Sequence, residues 1–334
     1  MASAVQNWGE ILRTQNLPPD RPMDLVSRWL LITRASVFPM TLTSGAVGGL
    51  LAIGAPHNHW LYFSAALLGL LLAHAANNMI NDYFDLEGGV DTQDYVRALY
   101  APHPVLSGLI SKTGLLIAIA IVNLIDLGLL VFLTERRGWP VALFALLGLF
   151  ISVFYVAPPL QLKHRGFGEP GVFVVWGPLM IGGTYYVTAG TLPPWVLVAS
   201  LPYALLVTTV LMGKHVDKLE ADTAKGIRTL PVILGRERAL FLTQQLLVSF
   251  FVFVICLVLT GTLSVWTLLV LLALPQLWKV LKVLTQPRPE AAPPNYPLWP
   301  LWYVAWCFLV TRRAGALFVL GLILEAIYPV RLPT

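Results

Sequence analysis

Stretches of roughly 20 mostly apolar residues recur along this chain too often for a water-soluble globule, and a helix of that length is what crosses a bilayer. Eight or nine are legible, over 29–53, 60–81, 113–134, 139–157, 171–190, 195–213, 240–260, 263–284 and 313–329. The charge count agrees. Only 12% of residues are Asp, Glu, Lys or Arg and 57% are apolar or aromatic, whereas soluble domains carry roughly 25% charge. A soluble cytosolic enzyme is excluded, and so is disorder, because apolar content is far too high for it. Cys256 and Cys307 both lie in apolar runs, so neither a disulfide framework nor a cysteine metal site is available. The expectation is an all-α, polytopic membrane bundle: a polar cytoplasmic segment 1–28, without the apolar core of a cleavable signal, then one transmembrane domain over 29–334.

If the chain alternates sides from a cytoplasmic N-terminus, only Arg136, Arg137 and Arg331 of the 22 basic residues fall outside. This is the asymmetry of the positive-inside rule. It puts the loops after spans two, four, six and eight on the cytoplasmic face, and two of these gather the acids. Asp82, Asp85, Glu87, Asp91 and Asp94 form one cluster; Asp217, Glu220 and Asp222 form another. Both start at the end of a membrane helix, where an acid is expensive.

In the first cluster Asn78, Asn81, Asp82 and Asp85 fall within an arc of about 100° on one helical face. Gly88-Gly89 ends the helix and lets Asp91 fold back. Carboxylates and amide oxygens suit a hard cation; Mg²⁺ in particular is held by one or two carboxylates together with substrate phosphates. In the second cluster Asp217 and Glu220 share a face on a straight helix while Asp222 points about 140° away, so the helix ends there or fewer than three acids serve one site. Lys214, Lys225 and Arg228 bring charge that could meet phosphate, although a plain positive-inside loop accounts for them equally. After span four, Pro158-Pro159 stops the helix and Lys163 and Arg165 follow, which suggests a diphosphate closed over by cations.

These residues resemble the UbiA superfamily of intramembrane prenyltransferases over about 34–235. The family pattern has an Asn-Asp-x-x-Asp segment after the second helix, matched by Asn81-Asp82-Tyr83-Phe84-Asp85 with Asp91. A Tyr and Lys segment follows the fourth helix, matched by Tyr155, Lys163 and Arg165. An Asp-rich segment with a Gly-x-x-Thr-Leu-Pro-like tail follows the sixth, matched by Asp217–Asp222, Gly226 and Thr229-Leu230-Pro231. Asn78-x-x-Asn81-Asp82 and Gly89-x-Asp91 are most similar to 1,4-dihydroxy-2-naphthoate prenyltransferases of menaquinone synthesis. The Tyr-x-Ala-Pro-Pro segment and the Glu220-x-Asp222 spacing are similar to chlorophyll synthases as well. Two positions depart from the pattern: Lys218 stands where many relatives have the first Asp of the second motif, and His103-Pro104 where an Arg is common, leaving Arg97 as the nearest cation.

The resemblance implies nine helices in two four-helix halves, roughly 29–157 and 171–284, and a last helix at 313–329, around a central cavity. It implies two Mg²⁺ ions bridging the diphosphate of a polyprenyl donor, an aromatic acceptor, and an inner-membrane enzyme with its active-site loops in the cytoplasm, without nucleic-acid partners. Asp82, Asp85, Asp91, Asp217, Glu220 and Asp222 become metal ligands. Asp82, Asp85, Lys163, Asp217, Asp222 and Tyr155 are the groups expected at the reacting diphosphate. Arg34, Asn78, Asn81, Arg97, Arg165, Lys214 and Lys225 are expected to bind substrate. Tyr83, Phe84, Tyr155, Trp176, Tyr185 or Tyr186 would face an allylic carbocation.

Several residues stay open at this level. Arg34, about a turn and a half into the first span, either faces the cavity or snorkels to the interface. Asn123 and Asp126, mid-span in the third helix, either serve the site or bond a neighbouring helix. His74 reads as packed, and Trp299, Trp302 and Trp306 with Arg312-Arg313 read as an interfacial segment feeding the last span. A prenyltransferase with another acceptor and a terpene cyclase share the fold. An anion transporter is the alternative of another class, but it would place its charges at the bilayer midplane between broken helices.

Overall fold

A computed structural model describes residues 3–18, 20–294 and 296–332. It is all-helical among these residues, and the elements follow the apolar runs. Helix α1 (Ala4–Thr14) opens on a Ser3–Gln6 capping box and lies against α2 (Leu25–Ile32). A short 3-10 turn joins α2 to α3 (Phe38–Leu51), and the two form one broken span bent by 64°. Then come α4 (Trp60–Glu87), the short α5 (Val96–Tyr100), α6 (Lys112–Arg137) and α7 (Pro140–Phe154). A span over Gly168–Ala189 consists of α8 (Gly168–Val174), a π-helical stretch Val175–Gly182 and α9 (Gly183–Ala189). Helix α10 (Pro194–Asp217) is followed by the short α11 (Leu219–Ala224) and α12 (Leu230–Leu234). Helix α13 (Arg236–Leu259), a 3-10 stretch leading into α14 (Leu274–Leu284), and α15 (Tyr303–Ile327) complete the chain. Seven of the described helices are long and apolar enough to cross a bilayer, the bent pair makes an eighth crossing, and α7 is a shorter apolar helix. The protein is a multi-pass membrane protein.

Packing sorts the spans. Helix α10 lies between α13 and α15, and Tyr203, Leu206, Phe250, Val254 and Phe318 are buried there. Helix α6 is the opposite case: Ile117, Ile121, Leu124, Ile125 and Val131 are exposed along it, as a helix solvated by lipid requires. The π-helical stretch carries Pro178, which has no N–H to give the ladder; across the interface, Ser44 donates to the Trp176 carbonyl at 2.8 Å. Such side-chain bonds re-satisfy backbone groups where water cannot.

The last span departs from the sequence expectation. It starts at Tyr303, not 313, so Trp306, Arg312 and Arg313 sit on the helix itself. The reason lies far away in the chain. Both carboxylate oxygens of Asp217 accept from the α15 N-terminus, Oδ1 from Tyr303 N–H and Oδ2 from Val304 N–H, each at 2.9 Å. A helix can start wherever its orphan N–H groups find acceptors, and here the cap comes from another helix. Gly213, one turn earlier on α10, permits the approach: a Cβ there would stand 2.9 Å from the Val304 backbone.

Candidate active site

Helix α4 runs one and a half turns beyond the expected end of its span and carries the first acidic motif on its inner face. Asn78, Asp82 and Asp85 are buried. At Gly89 (φ +68°) the chain reverses, and the Val90 and Asp91 N–H groups both donate to the Asp85 carbonyl, at 2.8 and 2.9 Å. Asp91, 3% exposed, thus returns beside Asp82.

Asp82, fully buried, lies between two guanidinium groups. Arg34 donates through Nε to Oδ2 at 3.2 Å and through Nη2 to Oδ1. Arg97 donates through Nε to Oδ1 at 3.0 Å and through Nη2 to Oδ2 at 3.2 Å. Arg34 therefore faces the cavity. It does so because the first span breaks at this residue, whose φ of +54° is left-handed; that conformation costs a non-glycine residue about 1 kcal/mol or more, and the buried pair with Asp82 offsets it. Asp85 holds the Lys163 ammonium, with Nζ donating to Oδ1 at 2.7 Å and Oδ2 at 2.6 Å. Lys163 is placed by a 3-10 turn over Leu162–Arg165 after the Pro158-Pro159 stop, its N–H bonded to the Tyr155 carbonyl at 2.9 Å. Beside it, burial and the Lys163 charge push the His164 imidazole down to about 4.

His103, unassigned by the sequence reading, is fully buried, with Nε2 at 3.4 Å from Asp91 and 3.8 Å from Asp82. Its Nδ1 accepts from the Val105 and Leu106 N–H groups, both at 3.3 Å. The proton therefore sits on Nε2, which makes His103 a donor to the carboxylates and not a metal ligand. It stands where the family pattern has a cation. Burial works to raise the Asp91 carboxyl, but the His103 hydrogen bond and the charges of Arg97 and Lys218 hold it below the usual range.

The second segment behaves differently. Asp217, expected to be a metal ligand, is turned to α15 as its cap. Glu220, also expected as a ligand, is exposed and paired with Arg236 outside the cavity. Asp222 alone turns inward, 1% exposed; its Oδ1 accepts from the Tyr95 hydroxyl, and Lys218 Nζ stands 3.6 Å away, over the Tyr95 ring at 4.5 Å. Burial beside Asp222 raises the Tyr95 phenol well above its ordinary value. The helix breaks at Lys218, between α10 and α11, and that break separates the three acids.

Two further expectations are corrected. Arg165 is exposed and donates to the Pro159 carbonyl at 2.9 Å; Lys225 is exposed and donates to the Gly89 carbonyl at 3.0 Å. Neither lines the cavity: Arg165 closes its own loop, and Lys225 ties its loop to the one after α4. Asn78 donates to the Thr33 carbonyl at 2.9 Å and so fixes the end of α2, while Asn81 and Lys214 line the polar pocket.

That pocket, about 20 Å³, is bounded by Asp85, Asp91, Lys163 and Lys218. It shares Arg34, Asn81, Arg97, Tyr100, Tyr155 and Lys214 with a much larger apolar cavity of about 780 Å³. The cations Lys214, Arg97 and Arg34 draw the buried Tyr100 phenol below its ordinary value, against the effect of burial. The large cavity runs past Trp176, Leu179 and Met180 to Asp126, Leu133 and Val187. Of the aromatic candidates, Tyr155 and Trp176 line it. Tyr83 and Phe84 meet edge to face and Tyr185 packs on Trp195. Tyr186 donates to the Arg137 carbonyl at 2.7 Å, at the far end of α6. Asn123 bonds its own helix at the Ile119 carbonyl. His74 is packed, its Nδ1 2.7 Å from the Thr41 hydroxyl and its ring edge-on to Trp176.

Mg²⁺ takes oxygen ligands. Asn81 Oδ1 and Asp222 Oδ2 are buried and without hydrogen-bond partners among the described residues, and Asp91 Oδ2 faces only His103 Nε2, at 3.4 Å, so the donor chemistry fits such an ion. An apolar chamber with a buried head of acids and cations, at one set of helix ends of a membrane bundle, defines an intramembrane enzyme for an amphiphile with an anionic head.

The chain belongs to the UbiA prenyltransferase family, whose model matches residues 41–309. It is 28% identical over 242 residues to the 1,4-dihydroxy-2-naphthoate octaprenyltransferase of Bacillus subtilis (strain 168), covering 71% of this chain and 77% of that one. The Escherichia coli (strain K12) enzyme of the same name is 29% identical over 254 residues, 75% of this chain and 82% of its own. The 2-carboxy-1,4-naphthoquinone phytyltransferase of Synechocystis sp. (strain ATCC 27184 / PCC 6803 / Kazusa) is 26% identical over 254 residues, 75% and 80%. A solved UbiA homolog from Archaeoglobus fulgidus, bound to GPP and Mg²⁺, shares the fold with a TM-score of 0.59 at 19% identity, covering 87% of this chain and 99% of that one.

Proposed function

We propose that the protein transfers a polyprenyl group from its diphosphate to a 1,4-dihydroxy-2-naphthoate-like acceptor, releasing diphosphate, in the synthesis of a lipid quinone. The observation that carries this reading is the junction of the two cavities: five buried or half-buried cations and the carboxylates of Asp85 and Asp91 line a polar pocket that adjoins an apolar chamber. The relatives named above support the naphthoate class of acceptor. The excess of Lys and Arg on the loops that carry the site supports an inner-membrane protein with this face in the cytoplasm.

The residues divide the work by chemistry. Arg34, Arg97, Lys163, Lys214 and Lys218 meet the diphosphate oxygens with charge-assisted hydrogen bonds. Asn81, Asp85 and Asp91 would hold Mg²⁺, with Asp82 orienting the two guanidinium groups beside it; a divalent cation supplies charge that makes diphosphate a better leaving group. As the allylic C–O bond breaks, its electron pair leaves with diphosphate, and the cations already in place are what stabilise that charge. The apolar walls keep water from the carbocation, and the faces of Tyr155 and Trp176 stabilise it. The electron-rich ring then forms the C–C bond, and its ipso proton or carboxylate leaves to restore aromaticity.

The test is purified protein in nanodiscs with Mg²⁺, geranylgeranyl and longer diphosphates, and a panel of dihydroxynaphthoate, hydroxybenzoate, homogentisate and chlorophyllide. Prenylated naphthoate by mass spectrometry is the expected product, lost on removal of Mg²⁺ and in the Asp82→Ala, Asp222→Ala double variant. Prenylation of a different acceptor alone would replace the acceptor assignment. Turnover without metal would overturn the mechanism.

A further inference from the structure

We infer that the diphosphate site takes a single divalent cation, and that Lys218 supplies the fixed positive charge in place of a second ion. The inference rests on the prenyltransferase reading and concerns what this chain's residues offer the donor's head. In the first segment Asn81, Asp85 and Asp91 line the polar pocket, with Asp82 beside Asp91; Asn81 Oδ1 is buried without a partner among the described residues, and Asp91 Oδ2 faces only His103 Nε2, at 3.4 Å. That is a set of hard donors awaiting one ion.

The second segment offers no equivalent set. Asp217 has both oxygens engaged on Tyr303 and Val304 N–H groups, where α15 packs so closely on α10 that a Cβ at Gly213 would stand 2.9 Å from the Val304 backbone. Glu220 points outward, its side chain 65% exposed and paired with Arg236. Asp222 is left as the one inward carboxylate. Its Oδ1 is taken by Tyr95, its Oδ2 is the one free donor that this segment turns inward among the described residues, and the Lys218 ammonium stands 3.6 Å from Oδ1. A dication on Asp222 would sit against a buried monocation in a medium of low dielectric, where like charges repel most strongly. Lys218 itself is 6% exposed, fixed over the Tyr95 ring, and lines the polar pocket beside Lys163 and Lys214. A buried ammonium held by a ring face and a carboxylate keeps donor capacity to spare, and in this pocket an anion's oxygens can reach it. It thus does for the leaving diphosphate, as a point charge, what a second ion would do.

The experiment counts ions. Wild-type protein in nanodiscs is titrated with Mn²⁺ in the presence of geranylgeranyl S-thiolodiphosphate, which does not ionise readily, and free Mn²⁺ is read by electron paramagnetic resonance. One bound Mn²⁺ per chain is expected; two, or none, overturns the inference. Lys218→Gln is expected to leave the count at one and weaken binding of the analogue at least 10-fold, whereas Lys218→Asp raises the count to two. Unchanged analogue affinity in Lys218→Gln also overturns it. Prenyl transfer to dihydroxynaphthoate is measured on the same preparation. A chain that binds one ion with the analogue yet prenylates no naphthoate refutes the acceptor and leaves the ion count standing; an active chain with two ions does the reverse.

Discussion

Replacing Asp217 by Ala separates a structural carboxylate from a catalytic one. The side chain accepts two backbone hydrogen bonds at 2.9 Å from the first turn of α15, in a place where both partners are shielded from solvent. Hydrogen bonds to a charged group contribute about 1.5–3 kcal/mol each, and loss of a helix N-cap alone costs about 0.5–2 kcal/mol. The two bonds share one acceptor and one helix end, so the figures overlap. A loss of about 3 kcal/mol is expected, which for a chain of this size lowers the melting midpoint by roughly 4 °C. Asp217→Asn keeps one acceptor oxygen and should lose about half as much. Melting is followed by intrinsic fluorescence in detergent, with Mn²⁺ and analogue binding measured below the midpoint. Destabilisation with the ion count unchanged is the expected pair of results. A variant that melts like wild type but binds no Mn²⁺ would show that the carboxylate is a metal ligand and refute the capping argument.

Three other outcomes follow from the same geometry. His103→Phe removes the Nε2 donor to Asp91 and should raise the Mg²⁺ concentration needed for half-maximal turnover about 10–100-fold, the usual cost of losing a partner that orients a ligand; His103→Gln, which restores a donor, should recover part of it, and an unchanged Mg²⁺ dependence would count against the donor role. His164 titrates near 4 in the folded protein against an ordinary 6.5, so the unfolded chain binds more protons below 6.5 and stability falls as pH drops from 6.5 toward 4; melting scans at pH 7, 5.5 and 4.5 should show a smaller decline in His164→Gln, and parallel declines would contradict it. Val187 lines the end of the apolar cavity near Asp126; Asp126 faces Gly69, 13 residues and so about 20 Å along α4 from Asp82. Val187→Trp should therefore shift donor preference to shorter prenyl chains with little change in diphosphate affinity, as read from product masses with mixed donors.

What could be read from sequence is what depends on short separations. The apolar runs place every span within a few residues, except the end of α4 and the start of the last span, and the helical face of Asn78, Asn81, Asp82 and Asp85 is a matter of 3.6-residue periodicity. The return of Asp91 follows from two adjacent glycines. The Arg34 position was open between cavity and interface because its choice depends on a break in the helix and a carboxylate 48 residues away. The same limit explains the misread acids. Asp217 looks like a ligand until α15, 86 residues later, brings its bare N–H groups to it; Glu220 does so until α13 places Arg236 beside it. Tyr95 carries no signal of its own, since its partner Asp222 lies 127 residues on. His103 could have been noticed: the pattern places a cation there, and a buried histidine followed by two bare N–H groups is a locked donor.

Asp82 joins two tasks that most sites keep apart. Its carboxylate neutralises the guanidinium groups that will meet the donor, and it also holds the residue at which the first span kinks through 64°. No substitution can therefore tune one task without touching the other. In a saturation scan that scores cellular abundance and turnover separately, position 82 should be intolerant on both axes. Lys218 sits at the break between α10 and α11, but its ion pair is with Asp222 only four residues on and ties no distant span to that break, so it should be far more permissive for abundance than for turnover. The route by which such an enzyme could acquire a new donor or acceptor therefore runs around position 82, through its neighbours.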